Sequence, residues 1–312
     1  MLEDTKKLLR NSPGYARVGM AIILFYIFVA VFAPLIAPFS ETEVLGAEYE
    51  PWFTKVCEYQ RLSDGDITRE MAYEDEGCSD AKDGHSLTEK TAYFGTDNIG
   101  RDMMSRIIYG ARNTVGIAFV TTILAFLIGS ITGLLAAALR GWVDQLLGRV
   151  VDILMSIPSL IFALLILTVV GTSVINVIFV IAILDATRVF RLARAVSMNI
   201  VVMDYVEAAR LRGEGLWWII RHEILPNVTA PLVAEFGLRF CFVFLFISAL
   251  SFLGLGLQPP TADWGAMVRE NSTLIAYGDI TPVIPAAAIA ILTVAVNFVV
   301  DWFLHLTSGL KD

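Results

Sequence analysis

Six stretches of this 312-residue chain are apolar over a length that suits a membrane-crossing helix, for which ~30 Å of hydrocarbon asks about 20 residues. They run over Val18–Phe39, Asn113–Leu139, Arg149–Val170, Thr172–Ala195, Asn227–Leu253 and Pro282–Leu306. Polar segments punctuate them: a tail at 1–17, a long stretch at 40–93 and a segment at 204–227. The pattern predicts an all-α membrane protein with six transmembrane helices. The first, at 18–39, is followed by an insertion at 40–93, and the other five form a core within 94–312. The first apolar run is long and lacks a small-residue cleavage site, so it is predicted to stay as a helix rather than leave as a signal peptide. Pro158 in the third run predicts a kink. Gly116, Gly129 and Gly133 in the second predict close helix packing, the last two at small-xxx-small spacing.

A mean hydropathy of +0.67 agrees. So do 56% apolar and 17% charged residues, against about 25% charged in soluble domains. Lys and Arg set the orientation. They gather before the first run (Lys6, Lys7, Arg10, Arg17), after the second (Arg140, Arg149) and after the fourth (Arg188, Arg191, Arg194, Arg210, Arg212, Arg221). These flanks, and with an even number of spans both termini, are predicted to be cytoplasmic. Arg101, Arg106 and Arg112 fall on the other side and are outnumbered. Between Ser40 and Ala92, 14 acidic residues stand against 5 basic ones, so the net charge of −8 belongs to one external loop. Nothing basic with interleaved aromatics points to nucleic acid.

The segment at 204–227 reads as two short helices. Asp204, three residues before Glu207, predicts an N-cap with a capping box. Ala208 and Ala209 would let a partner surface approach closely. Gly213 can take a left-handed conformation that ends the first helix. Trp217, Trp218, Ile219 and Ile220 offer apolar surface, and Pro226 suits the first turn of the next helix.

This segment resembles the EAA loop of permease subunits of binding-protein-dependent ABC importers, whose pattern is Glu-Ala-Ala, three residues, Gly, nine residues, Ile, one residue, Leu-Pro. Glu207, Ala208, Ala209, Gly213, Leu225 and Pro226 fall on it, while Glu223 replaces the Ile. Ala33-Pro34-Leu35-Ile36-Ala37-Pro38 is similar to the N-terminal module of the dipeptide/oligopeptide/nickel subfamily. Phe94–Asp102, Ser105-Arg106 and Tyr109–Arg112 resemble the block before its second span. Ser251–Pro260 with Trp264-Gly265 resembles the loop after its fifth. The stretch from Glu41 to Thr91 departs from that subfamily by its length and acidity.

The resemblance implies a type I ABC importer permease, DppC/OppC-like, in a bacterial cytoplasmic (inner) membrane. Its partners would be a second homologous permease subunit, two ABC ATPase subunits, an extracytoplasmic solute-binding protein and membrane lipid. ATP and Mg would sit on the ATPases, and this chain would bind no cofactor. Di- or oligopeptide is the expected cargo; an oligosaccharide or a nickel chelate is the alternative, and a stand-alone secondary transporter the rival class.

Chemistry of its own is not expected from this chain. It has no Gly-x-x-x-x-Gly-Lys-Ser/Thr sequence and no Gly-x-Ser-x-Gly elbow, and His85, His222 and His305 are not spaced as metal ligands. Charges inside apolar runs are costly and draw attention. Glu235 with Arg239 and Asp185 with Arg188 sit at helical pair spacings, as passage-lining groups or structural pairs; Arg149 with Asp152 is a third such pair. Cys57 and Cys78 fall on the oxidising side and are predicted to be bonded.

Overall fold

The computed structural model describes residues 12–63, 66–73 and 87–308. Helices occupy the apolar runs: α1 (Gly14–Ile36), α2 (Met103–Leu139), α3 (Gly141–Ser156), α4 (Ser159–Val170) and α5 (Val174–Val201). After the polar segment with α6 (Asp204–Leu211) and α7 (Leu216–Ile219) come α8 (Leu225–Phe252), α9 (Trp264–Glu270) and α10 (Val283–Ser308). Among the described residues, four helical stretches are long and apolar enough to cross a membrane: Gly14–Ile36, Met103–Leu139, Leu216–Phe252 and Val283–Leu306.

Two of the predicted spans differ from expectation. The third is two helices, α3 and α4, which meet at 88° where a kink was expected. Pro158 lacks an N–H and holds the preceding residue in extended backbone; Ile157 duly sits at φ −98° and ψ 134°. The chain turns a corner there. Counting the bent pair as one span brings the apolar spans to five. The fourth predicted span is α5, a continuous helix of 28 residues. It is not among the apolar spans, because Asp185, Arg188, Arg191 and Arg194 lie along it.

The stretch at 40–93 corrects the all-α expectation. β1 (Thr54–Ser63), β2 (Asp66–Tyr73) and β3 (Leu87–Ala92) form an antiparallel sheet in the order β2-β1-β3. Cys57 lies opposite Ala72 on one side and Glu89 on the other. Cys78 lies outside the described residues, and so does the expected Cys57–Cys78 bond.

Contacts divide the chain into two compact units: Met1–Phe25 with Gly116–Leu250 and Ala290–Asp312, and Tyr26–Val115 with Ser251–Ile289. In the first, α2 packs on α5 through the two glycines at small-xxx-small spacing. A Cβ on Gly129 would stand 2.6 Å from the Ala186 carbonyl oxygen, and one on Gly133 would stand 2.8 Å from the Ala193 Cβ. Gly116 faces open space instead, so packing does not explain it.

In the second unit, the blocks flanking α2 and α9 interlock. Asp97, Arg101 and Arg106 are buried. Arg101 Nε donates to Asp97 at 2.8 Å, Arg106 also donates to Asp97, and both arginines reach Glu270 at 3.3 and 3.0 Å. Asp263 caps α9 by accepting from the Ala266 N–H at 2.9 Å, and also accepts from the Thr114 hydroxyl at 2.8 Å. The Trp264 indole donates to the Ile107 carbonyl at 2.9 Å. These contacts account physically for the Gly-Thr-Asp and Trp-Gly blocks.

Candidate coupling site and intramembrane charges

The segment at 204–227 is built on one apolar anchor. Val206 and Ala209 of α6 are buried with Ile219, Ile220, Ile224 and Val228 against Leu134, Ala137 and Ala138 of α2 and Val201 of α5. Arg210 adds a polar tie, donating to the Ala138 carbonyl at 3.2 Å near the end of α2, where helical carbonyls lack intrahelical partners. Glu207 and Ala208 are exposed on the other side of α6. The two alanines therefore differ: Ala208 can meet a partner, whereas Ala209 belongs to the core.

Two expected helix signals resolve differently. Asp204 is the first helical residue rather than the N-cap; Met203 is the cap, and no side chain closes a capping box. Gly213 behaves as expected, at φ 84°. The Glu214 N–H bonds the Ala209 carbonyl at 3.2 Å and the Gly213 N–H bonds that of Arg210 at 3.0 Å. This is a Schellman end, and it needs a residue that tolerates positive φ.

Pro226 stands in the first turn of α8, as expected, but that helix has no free start. It lies inside the continuous stretch Leu216–Phe252, just after a π-turn over Ile220–Ile224 in which the Leu225 N–H reaches the Ile220 carbonyl. A proline cannot donate to the carbonyl four residues back, and the π-turn rearranges the ladder at that place. Glu223, at the family's Ile position, is half-buried in this turn, and its neighbour Ile224 supplies the buried aliphatic side chain.

Around that anchor, apolar side chains are exposed among charged ones such as Asp204, Arg212 and Arg221. Val202, Met203, Tyr205, Trp217 and Leu225 are exposed, and Leu211 is 83% exposed. Large apolar side chains exposed on a polar segment suit contact with a partner.

The four charges singled out in the fourth and fifth runs come together as one cluster. Arg239 Nε lies 2.7 Å from Glu235, Arg188 donates to Asp185 at 3.2 Å, and Arg239 also lies 3.6 Å from Asp185. The last contact joins α8 to α5, and local spacing gives no sign of it. The Arg239 guanidinium also lies over the Phe242 ring, 4.6 Å from its centre. The expected Arg149–Asp152 pair is absent. Asp152 pairs with Arg191 at 2.6 Å, and Asp144 accepts from Arg194 through both carboxylate oxygens. Across-helix partners on α5 won over the neighbour three residues away. Among the described residues, no group of three His, Cys, Asp or Glu side chains is placed to hold a metal ion.

Burial pushes the Asp263 carboxyl above the ordinary carboxylate range, against the bonds from Ala266 and Thr114 that pull it down. Asp102, whose carboxylate accepts from the Ser105 N–H at 2.7 Å, is raised by burial in the same way.

The family described as "Binding-protein-dependent transport system inner membrane component" matches residues 128–308, and "N-terminal TM domain of oligopeptide transport permease C" matches residues 6–51. The chain is 30% identical to the "Dipeptide transport system permease protein DppC" of Alkalihalophilus pseudofirmus, over 99% of this chain and 88% of that protein. It is 31% identical to the "Di/tripeptide transport system permease protein DppC" of Pseudomonas aeruginosa, over 94% and 85%. With the "Peptide transport system permease protein SapC" of Escherichia coli the identity is 36%, over 68% and 72%. Among solved structures, an inward-facing form of the MetNI methionine ABC transporter superimposes with a TM-score of 0.51. It covers 67% of this chain and 98% of that one at 19% identity, a likeness of fold.

Proposed function

Because this chain belongs to the family of binding-protein-dependent transport system inner membrane components, we propose that it is the permease subunit of an ATP-driven importer that carries di- and oligopeptides across the bacterial cytoplasmic membrane. It works with six spans and both termini in the cytoplasm. Beside it stand a second homologous permease, two ATPases that bind ATP and Mg, and an extracytoplasmic solute-binding protein. The peptide cargo is supported by the names of relatives aligned over most of the chain.

The observation that carries the coupling role is the two-sidedness of α6. One face is fixed to α2, α5 and α8 through Val206 and Ala209, while Glu207, Ala208 and the apolar residues around Leu211 remain uncovered. A partner that grips the uncovered face moves the anchored one with it. Closure of the ATPase dimer would then pull on α6, and the Arg210 tie would pass the displacement to α2. For ATP to shift the permease between its states, these contacts must differ in strength between them. In this reading the Asp185, Arg188, Glu235 and Arg239 cluster is a clamp that keeps α5 and α8 together, since every member has a partner within the cluster.

Gly213→Val and Glu207→Lys test the coupling. A β-branched residue at positive φ costs roughly 1–2 kcal/mol, and a cation in the first turn opposes the helix dipole. Both variants should assemble yet lose transport-linked ATPase activity in the reconstituted complex, by about tenfold for Gly213→Val. Normal transport by both would remove this segment as the coupling element. The cargo is tested separately, by asking which ligand on the cognate binding protein stimulates the ATPase; stimulation by an oligosaccharide and not by peptides would overturn the peptide assignment.

A further inference from the structure

The corner between α3 and α4 presents one apolar surface that turns through a right angle. On α3, Trp142, Leu146, Val150 and Ile153 are exposed, and at 3.6 residues per turn they share one side of the helix. On α4 the row continues with Ile161, Leu165 and Val169, all exposed. The two arms meet at 88°. α4, with 12 residues, is about 18 Å long and is the part of the third span that enters the hydrocarbon. If α4 points along the membrane normal, α3 must lie in the membrane plane.

The rest of α3 suits that placement. Val151 is buried, and Asp144 and Asp152 are held by Arg194 and Arg191 of α5. Arg149 lies at the edge of the apolar stripe, two turns beyond Trp142 and one before Ile153. It is exposed, and among the described residues it has no ion-pair partner. Arg149, Arg191 and Arg194 line a cavity of about 480 Å³ together with Asp144 and Asp152, which leaves one positive charge in excess. Trp beside Arg at a polar–apolar edge is the composition of a membrane boundary. Basic pockets between helices on the cytoplasmic side accept anionic headgroups.

We propose that α3 is an in-plane helix whose Trp142–Ile153 face is embedded at the membrane–water boundary, with Arg149 binding the headgroup of an anionic phospholipid. A surface of lipid meets both arms of the corner at once and supplies the negative charge that Arg149 lacks.

Photo-crosslinking tests the placement. Benzoylphenylalanine is placed at Leu146 or Ile153 in the assembled complex in its native membrane, with Leu165 as the lipid-facing control. Phospholipid adducts at both α3 positions are expected. Crosslinks to another subunit would mean that a protein covers this face, and adducts at Leu165 alone would mean that water does; either result overturns the proposal. Native mass spectrometry of the intact complex with phosphatidylglycerol tests the headgroup. Arg149→Gln should retain about fivefold less of it, as expected for loss of one basic side chain near an anionic surface, while Arg149→Lys retains it and phosphatidylcholine binding is unchanged. Equal phosphatidylglycerol retention by Arg149→Gln would overturn the assignment to Arg149.

Discussion

Arg239 has two carboxylates within reach, Glu235 at 2.7 Å and Asp185 at 3.6 Å, so its loss affects both. Arg239→Met should destabilise the permease by about 3 kcal/mol, the usual scale for leaving a buried charge unpaired. Glu235→Gln should cost less, because Arg239 keeps Asp185, and combining the two changes should recover part of the loss. Thermal inactivation of the purified complex measures all three. A stable Arg239→Met complex with altered peptide preference would instead give the cluster a place in the passage. Asp263 yields a pH prediction. Its folded value is raised, so its contribution to stability is complete in acid and is lost as pH rises through that value. Asp263→Asn keeps a capping oxygen, so its melting temperature relative to the parent protein should climb from acid to neutral pH. A difference flat across pH would acquit Asp263. Residue pairs were legible only where they are local. Glu235–Arg239 and Asp185–Arg188 follow from helical spacing, but Arg239–Asp185 and Arg191–Asp152 join different helices, and no periodicity reports them.

At the scale of elements, long apolar helices and the glycine stop at Gly213 could be read directly, because each follows from a local rule. The corner at Pro158 could not, since a proline within an apolar run is compatible with a kink or a break, and packing of α3 on α5 chose the break. The capping box failed for a related reason: the first turn of α6 is set by burial of Val206 and Ala209, which places Met203 rather than Asp204 at the cap. The sheet was not legible, because its strands lie in an acidic, polar stretch without the apolar alternation that marks a half-buried strand. Helix contact makes a paired prediction. Gly129→Ala drives a Cβ to 2.6 Å from a backbone oxygen, whereas Gly116→Ala meets nothing. The first should lower the thermal stability of the complex. The second should leave it unchanged or raise it by up to about 1 kcal/mol through helix propensity. Equal effects would mean that α2–α5 contact does not depend on the glycine.

For the molecule as a whole, membrane class was readable from composition and family from the EAA-like spacing, because both are distributed over many residues. The acidic stretch at 40–93 carries a prediction of its own. Cys57 and Cys78 should resist alkylation in the intact membrane until reductant is added, and their bond should be worth on the order of 3 kcal/mol in the chain-entropy model. Free labelling of both before reduction would abolish it. The buried charges of the second unit carry a consequence in time. Asp97, Arg101 and Arg106 gain their second acid only from Glu270, which lies 164 positions after Arg106. At a synthesis rate of about 5–20 residues per second, that is a wait of roughly ten to thirty seconds. Throughout it, one carboxylate faces two arginines in a site that must later exclude water. Nascent chains arrested before residue 270 should therefore leave the Gly95–Arg106 stretch open to protease, and chains arrested well past it should not. The last third of the gene thus decides when a site laid down in the first third can close.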